Sequence, residues 1–351
     1  MTSLHDASAR GFASDNYAGV HPEVLDALAA ANGGHQVAYG EDDYTAALRE
    51  RMAELFEAPV EVFPVFNGTG ANVVALQSVT HRWESVICAE TAHINVDEGA
   101  APESVGHLKL KTIPTPDGKL TPQLLEAFPL RVGDEHAAPV GAVSITQTTE
   151  LGTAYTVEEI RQIATWAHAH DLVLHVDGSR ISNAVASLGV SLAELITDTG
   201  VDILSFGGTK NGLLGAEAVV VLNPAAVHGI VFLRKQSMQL ASKMRFLSAQ
   251  LLALLSDDLY LRSAQHANEM ATRLAAAVSD VVTLPRPTQA NAVFAVLPQE
   301  VSLKLTETFR FYFWDEVTGE VRWMCSWDTT EDDVDAFAAA VRDEIAAYRS
   351  A

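Results

Sequence analysis

Lys210, in the run Ser205-Phe206-Gly207-Gly208-Thr209-Lys210-Asn211-Gly212, and Asp177, which closes the apolar stretch 172–176, are the residues best suited to chemistry. A lysine among small residues can present its amine to an aldehyde and form a Schiff base. A carboxylate at the end of a neighbouring strand can keep a pyridine nitrogen protonated, so that the ring draws in electrons. Together they are what a pyridoxal phosphate (PLP) site requires. A phosphate cradle is also at hand. Asn67-Gly68-Thr69-Gly70-Ala71-Asn72 lies between a strand-like run and a helical one, with backbone N–H groups and the Thr69 hydroxyl free to hold an anion. It is not a P-loop, because the Lys-Ser/Thr pair is missing. Nor is it a dinucleotide fingerprint, because Val73 stands where the third glycine belongs. By itself the segment reads as a tight turn into a helix; with Asp177 and Lys210 it reads as phosphate binding.

Three further residues invite a role, each against a plainer alternative. His93, in Thr91-Ala92-His93-Ile94-Asn95, can stack on a pyridine ring or move protons beside it; the alternative is a loop histidine. Arg180, three residues after Asp177, offers a two-pronged grip on a substrate carboxylate; the alternative is a structural salt bridge. Arg322, in Val321-Arg322-Trp323-Met324, has simple solvation as its alternative. His168 and His170 diverge on a helix, so no metal site is expected.

The elements that must position these groups alternate. Residues 60–66, 85–88, 141–146, 172–176, 203–205 and 218–222 read as strands, and 71–81, 121–128, 156–170 and 191–197 as helices. Such alternation predicts an α/β fold with a mostly parallel sheet between helices, whose ligands bind beyond the carboxyl ends of the strands. After Pro224 the pattern changes to a long helical stretch, 241–278, then strands at 292–297, 309–314 and 321–325 and a closing helix at 331–348. The expected organisation is a large α/β domain over 1–240 and a small α+β domain over 241–351.

The 45 acidic against 23 basic residues give a net charge of −22, which argues against nucleic acid and anionic membranes as partners. An anionic cofactor must then be held by local groups against an unfavourable field. Cys88 and Cys325 form no disulfide framework, residues 1–10 have no apolar leader, and no apolar run approaches the ~18 residues of a membrane span. A cytoplasmic enzyme is expected.

The ordered motifs resemble the low-specificity threonine aldolases of the fold-type I PLP superfamily over nearly the whole chain. Those that carry the resemblance are Ser14-Asp15, Tyr39-Gly40-Glu41-Asp42, Gly68-Thr69 with Asn72, and His93 with Glu98. To these are added His175-Val176-Asp177-Gly178-Ser179-Arg180 with Asn183-Ala184, Lys210 preceded by Asp202 and Ser205, and Arg322. The resemblance implies a seven-stranded-type sheet and reversible retro-aldol cleavage of L-β-hydroxy-α-amino acids such as threonine, allo-threonine or phenylserine to glycine and an aldehyde. It implies that Lys210 carries PLP, Asp177 pairs with its ring nitrogen and His93 stacks on the ring. Gly68, Thr69 and Ser205 would hold the phosphate, and Ser14, Arg180 and Arg322 the substrate carboxylate, with Arg180 also near the cofactor. It further implies a homotetramer with shared sites, in which Tyr39 (on substrate) and Arg245 (on cofactor) act from a neighbouring chain.

Departures from the family pattern bear on the base. Where many members carry an ENTHN segment, this chain reads Gln147-Thr148-Thr149-Glu150, so that Glu150 replaces the imidazole. Asp97 replaces an aromatic, the lysine sits in Thr-Lys-Asn-Gly, and a partner-subunit lysine aligns with Met238, between Lys235 and Lys243. Glu150, or a water it holds, is favoured as general base because His93 is committed to stacking. The alternatives are another PLP-dependent reaction, β-elimination or transamination, and a non-catalytic protein that keeps only the fold.

Overall fold

Short runs rich in valine and isoleucine become strands here because helices cover the sheet they build. In the computed structural model, which describes residues 4–351, seven of them form one sheet. They are β1 (Glu61–Val65), β2 (Ser85–Ala89), β3 (Lys109–Ile113), β4 (Val140–Thr146), β5 (Val173–Gly178), β6 (Ile203–Phe206) and β7 (Glu217–Val221). Residues 1–3 of the stretch read for a leader lie outside the described residues. The strand order is β1-β7-β6-β5-β4-β2-β3. From β6 to β3 every pairing is parallel, whereas β7 is antiparallel to both its neighbours. Two reversals restore β1 to the direction of β6. The turns after β1, β2, β4, β5 and β6 therefore all emerge at one edge, where ligands of such sheets bind.

A second, antiparallel sheet joins β8 (Ala292–Val296), β9 (Tyr312–Asp315) and β10 (Glu320–Met324) in the order β8-β10-β9. The expected mostly parallel large sheet and smaller α+β unit are both present. Three local readings change. Strand β3 was not expected, because the lysines of Lys-Leu-Lys-Thr-Ile hide its apolar residues; as an edge strand it needs only one covered face. The stretch 241–278 is two helices, Arg245–Leu255 and Leu259–Val278, broken where Asp257 and Asp258 take left-handed φ angles of 47° and 53°. Residues 191–197 yield only a five-residue π turn, Ala193–Thr197.

Buried side chains form two main cores. The larger packs around the seven-stranded sheet and takes in the Arg245–Leu255 helix. The smaller joins the second half of the Leu259–Val278 helix to the three-stranded sheet and the closing helix Glu331–Ser350. Phe12 belongs to this second core, stacked on Phe337 with ring centroids 4.4 Å apart. Its carbonyl accepts a hydrogen bond from Met324 N–H at 2.8 Å.

Candidate active site

At the carboxyl edge of the large sheet lies a cavity of about 360 Å³, lined by Gly68, Thr69, His93, Ser179, Lys210 and Glu217 among others. Apart from Gly68 and Thr69, which share a helix start, each arrives on a different element. Lys210 stands in the turn after β6, in a single 3₁₀ turn, Thr209–Asn211, and no hydrogen bond or ion pair reaches its amine among the described residues. Burial and the Arg180 guanidinium lower its pKa, and the charges of Asp15, Asp177 and Glu217 work the other way. An amine so placed is readied for nucleophilic attack.

Asp177, at the end of β5, is buried just behind this lining. One carboxylate oxygen accepts the Ser179 hydroxyl at 2.6 Å and the Ser179 N–H at 3.0 Å; the other accepts Asn72 Nδ2 at 2.9 Å. Burial favours the neutral acid, but these bonds and the positive charge of His93 and Lys210 outweigh it and hold the carboxyl below its usual range. The group is thus a permanent buried anion with a cationic partner to gain.

Asn72 extends the network. Its Nδ2 also reaches Glu98 Oε1 at 2.8 Å, and the same oxygen meets His93 Nδ1 at 2.9 Å. The bond to Glu98 raises the histidine pKa against the effect of burial. His93 is fixed in orientation by that carboxylate while part of its ring stays open to the cavity. Sequence grouped Asn72 with the phosphate segment; the structure ties it to Asp177 instead.

The Gly68–Val79 helix begins at the cavity. Its N-cap, Asn67, accepts the Gly70 N–H at 2.7 Å, and the Gly68 and Thr69 N–H groups stay unbonded among the described residues. Free amides at a helix start are an anion site.

Glu150, after β4, does not line the cavity but sits behind His93, whose backbone N–H donates to Oε1 at 2.6 Å; Oε2 is buried without a partner. Burial, with the Asp177 charge added, pushes its pKa up to about 7. A carboxyl poised there can take or give a proton near neutrality.

The two arginines differ. Arg180 spends Nε and Nη2 on Asp15, at 2.7 and 2.9 Å, so the plainer salt-bridge reading describes most of its fork. Burial alone would lower its pKa, but Asp15 keeps it raised. Arg322, on β10, has no carboxylate partner among the described residues. It lies over the rings of Tyr312 and Trp314, 5.3 and 5.0 Å from their centroids, donates Nη2 to the Ala13 carbonyl at 3.1 Å, and has a buried Nε with no acceptor. Burial brings its pKa down to about 10. A half-buried cation short of an anion is suited to a carboxylate ligand.

Other expected residues lie elsewhere. The Ser205 hydroxyl is engaged with His175 Nε2 at 3.0 Å inside the sheet, away from the cavity, which corrects its expected place on the phosphate. Ser14 caps a short turn and lines a different crevice with Arg10 and Arg310. Tyr39 and Arg245 also stand outside the cavity; Arg245 donates to the Gly34 carbonyl at 3.1 Å, and Lys235 lies 5.1 Å from the Tyr39 ring. Sequence reasoning assigned no role to Ser179, to Asp15 as the Arg180 partner, or to Glu217. An acid heading the strand Glu-Ala-Val-Val-Val was the visible signal for the last.

Comparison with known proteins gives the family. The family model described as "Beta-eliminating lyase" matches residues 11–300. The low specificity L-threonine aldolase of a Pseudomonas species (strain NCIMB 10558) is 44% identical over 94% of this chain and 96% of its own. Its namesake from Pseudomonas aeruginosa is 45% identical over the same shares. Among solved structures, a threonine aldolase of Leishmania major superposes with a TM-score of 0.91 at 30% identity, covering 96% of this chain and all of that one. Sequence kinship over almost the full length, together with a shared fold, means that the chain belongs to the threonine aldolase branch of the β-eliminating lyase family.

Proposed function

We propose that this chain is a PLP-dependent lyase that cleaves L-β-hydroxy-α-amino acids reversibly into glycine and an aldehyde. The observation that carries the reading is the convergence of Lys210 and the free amides of Gly68 and Thr69 on one cavity, with the ionised Asp177 just behind its lining. These groups fit PLP part by part: the amine for its aldehyde, the carboxylate for its ring nitrogen, the helix start for its phosphate. His93, oriented by Glu98, offers a ring to stack on the pyridine. Bound PLP supplies an electron sink for the pair released when a bond to Cα breaks.

The chain's own residues do the rest. Arg322, and the free edge of Arg180, hold the substrate carboxylate and so orient the bonds at Cα. Glu150, with a pKa of about 7, or a water beside it, accepts the β-hydroxyl proton as the Cα–Cβ bond breaks. Asp177 stabilises positive charge on the ring nitrogen throughout. Tyr39 and Arg245 complete the site from a second copy in a homotetramer. Among the described residues no helix is long and apolar enough to cross a membrane, and we place the enzyme in the cytoplasm.

The test is product analysis together with two variants. Wild type given threonine or phenylserine should release glycine and aldehyde; pyruvate and ammonia would mean β-elimination instead. Lys210→Ala should lose the visible absorbance of lysine-bound PLP and nearly all turnover. Asp177→Asn should keep some cofactor and lose turnover by at least about 100-fold. Normal turnover in either variant would sink the assignment.

A further inference from the structure

We propose that Glu217 is a positioning residue for Lys210: from the head of β7 its carboxylate anchors the turn that carries the amine and sets a negative charge facing it. The inference rests on the reading of Lys210 as the cofactor lysine, but its geometry stands on the chain alone. Strand β7 returns antiparallel to β6, with Phe206 opposite Ala218, so Glu217 meets the residues that have just left β6. Its Oε2 accepts the Gly208 N–H at 2.6 Å and its Oε1 the Thr209 N–H at 3.3 Å. The other side of the turn is equally bounded. Gly207 N–H donates to the Gly178 carbonyl at 3.0 Å, and a Cβ on Gly207 would collide with the Ser179 carbonyl. A Cβ on Gly208 would lie 2.6 Å from the Ala216 carbonyl. A turn this confined has little freedom except through the carboxylate that ties it down.

Glu217 is costly where it is. It is buried, it forms no ion pair within 4.0 Å among the described residues, and burial raises its pKa against the bonds from Thr209 and Gly208. Nothing on β7 itself needs an acid, since every other residue of the strand is alanine or valine. What it faces is Lys210. The other charged groups around that amine are Arg180 and His93 on the positive side and Asp15 and Asp177 on the negative. Tyr260 and His21 bond to the same turn through backbone groups: the Tyr260 carbonyl accepts from Asn211, and the His21 N–H donates to the Gly212 carbonyl. Asp15 is bound to Arg180, and Asp177 to Asn72 and Ser179. Glu217 is the carboxylate bonded to the lysine's own turn. Removing its charge favours the neutral amine, so Lys210 should give up its proton at lower pH.

The experiment uses the full chain stripped of PLP, labelled with trace acetic anhydride across a pH series, with Lys210 acetylation read by mass spectrometry. In E217Q the midpoint should fall below the wild-type value. In E217D, which keeps the charge but shortens the reach, the midpoint should stay at the wild-type value while the Gly208 and Thr209 amides exchange hydrogen faster. An E217Q midpoint equal to wild type overturns the proposal, as does an E217D midpoint displaced as far as that of E217Q. Wild-type exchange at both amides in E217D overturns it even if E217Q does not fold. These readouts need no PLP, so a wild type that never takes up PLP would sink the cofactor reading without deciding this one.

Discussion

At the residue scale, Glu150 makes a prediction with a sign. Its carboxyl titrates at about 7 in the folded chain, against 4.5 for the ordinary group, because burial and Asp177 oppose its charge. Between those values the unfolded chain releases a proton that the folded chain retains, so this group's contribution to stability falls as pH rises through that window. The difference amounts to roughly 3 kcal/mol once both states are ionised. Glu150→Gln removes the titration. It also leaves an unpartnered amide where Oε2 lies buried, at a cost of about 1–3 kcal/mol that does not vary with pH. Urea melts of the PLP-free variant should therefore gain on wild type steadily from pH 5 to pH 8. Parallel pH profiles would remove Glu150 as the neutral-range titrating group. Loss of most turnover in the same variant is expected if it is the base; full kcat would return that role to His93.

At the element scale, the cradle depends on the start of the Gly68–Val79 helix. Asn67→Ala deletes the cap on the Gly70 N–H, which should cost about 1 kcal/mol of stability and weaken PLP binding as the first turn frays. Paired urea melts and PLP titrations read both effects, and unchanged PLP affinity would show that the capped geometry does not matter to the cofactor. The same scale explains what the sequence made legible. Strands that carry site residues at their ends were visible because burial on both faces demands largely apolar runs, as in β5 and β6. Strand β3 was hidden by its lysines, and the break at Asp257 and Asp258 by apolar spacing that continues across it. The lysine, its aspartate and the glycine turn could be read because each is a local pattern. The Asp15 brace on Arg180, the bridge from Asn72 to Asp177 and the clamp of Glu217 join residues that only the fold brings together. Ser205 was misplaced for the converse reason: its position at the strand end was right, but its hydroxyl had a buried partner in His175.

At the scale of the whole molecule, the charge of −22 sets a requirement. Among the described lining residues, the basic ones are Lys210 and His93, which is little to hold a phosphate dianion in an acidic protein. A cation from a second copy would meet that need, and Arg245, which donates to the Gly34 carbonyl outside this chain's own cavity, is the group we propose. Light scattering should give four times the 37.6 kDa chain mass, and Arg245→Ala should weaken PLP binding about tenfold. A monomer with full PLP affinity would overturn the shared site. The N-terminal segment carries a different consequence. Phe12 is seated in the smaller core, and Asp15 holds Arg180 of the larger while accepting from Asn291 at 3.1 Å. The segment is synthesised well before Phe337, the core residue on which Phe12 stacks. At about 5–20 residues per second it waits tens of seconds on the ribosome for the chain that completes it. The Asp15 brace on Arg180 therefore gains its full support only after the smaller core has been translated, and nascent chains that stop short of that core hold Phe12 without its partners however well their large sheet has formed.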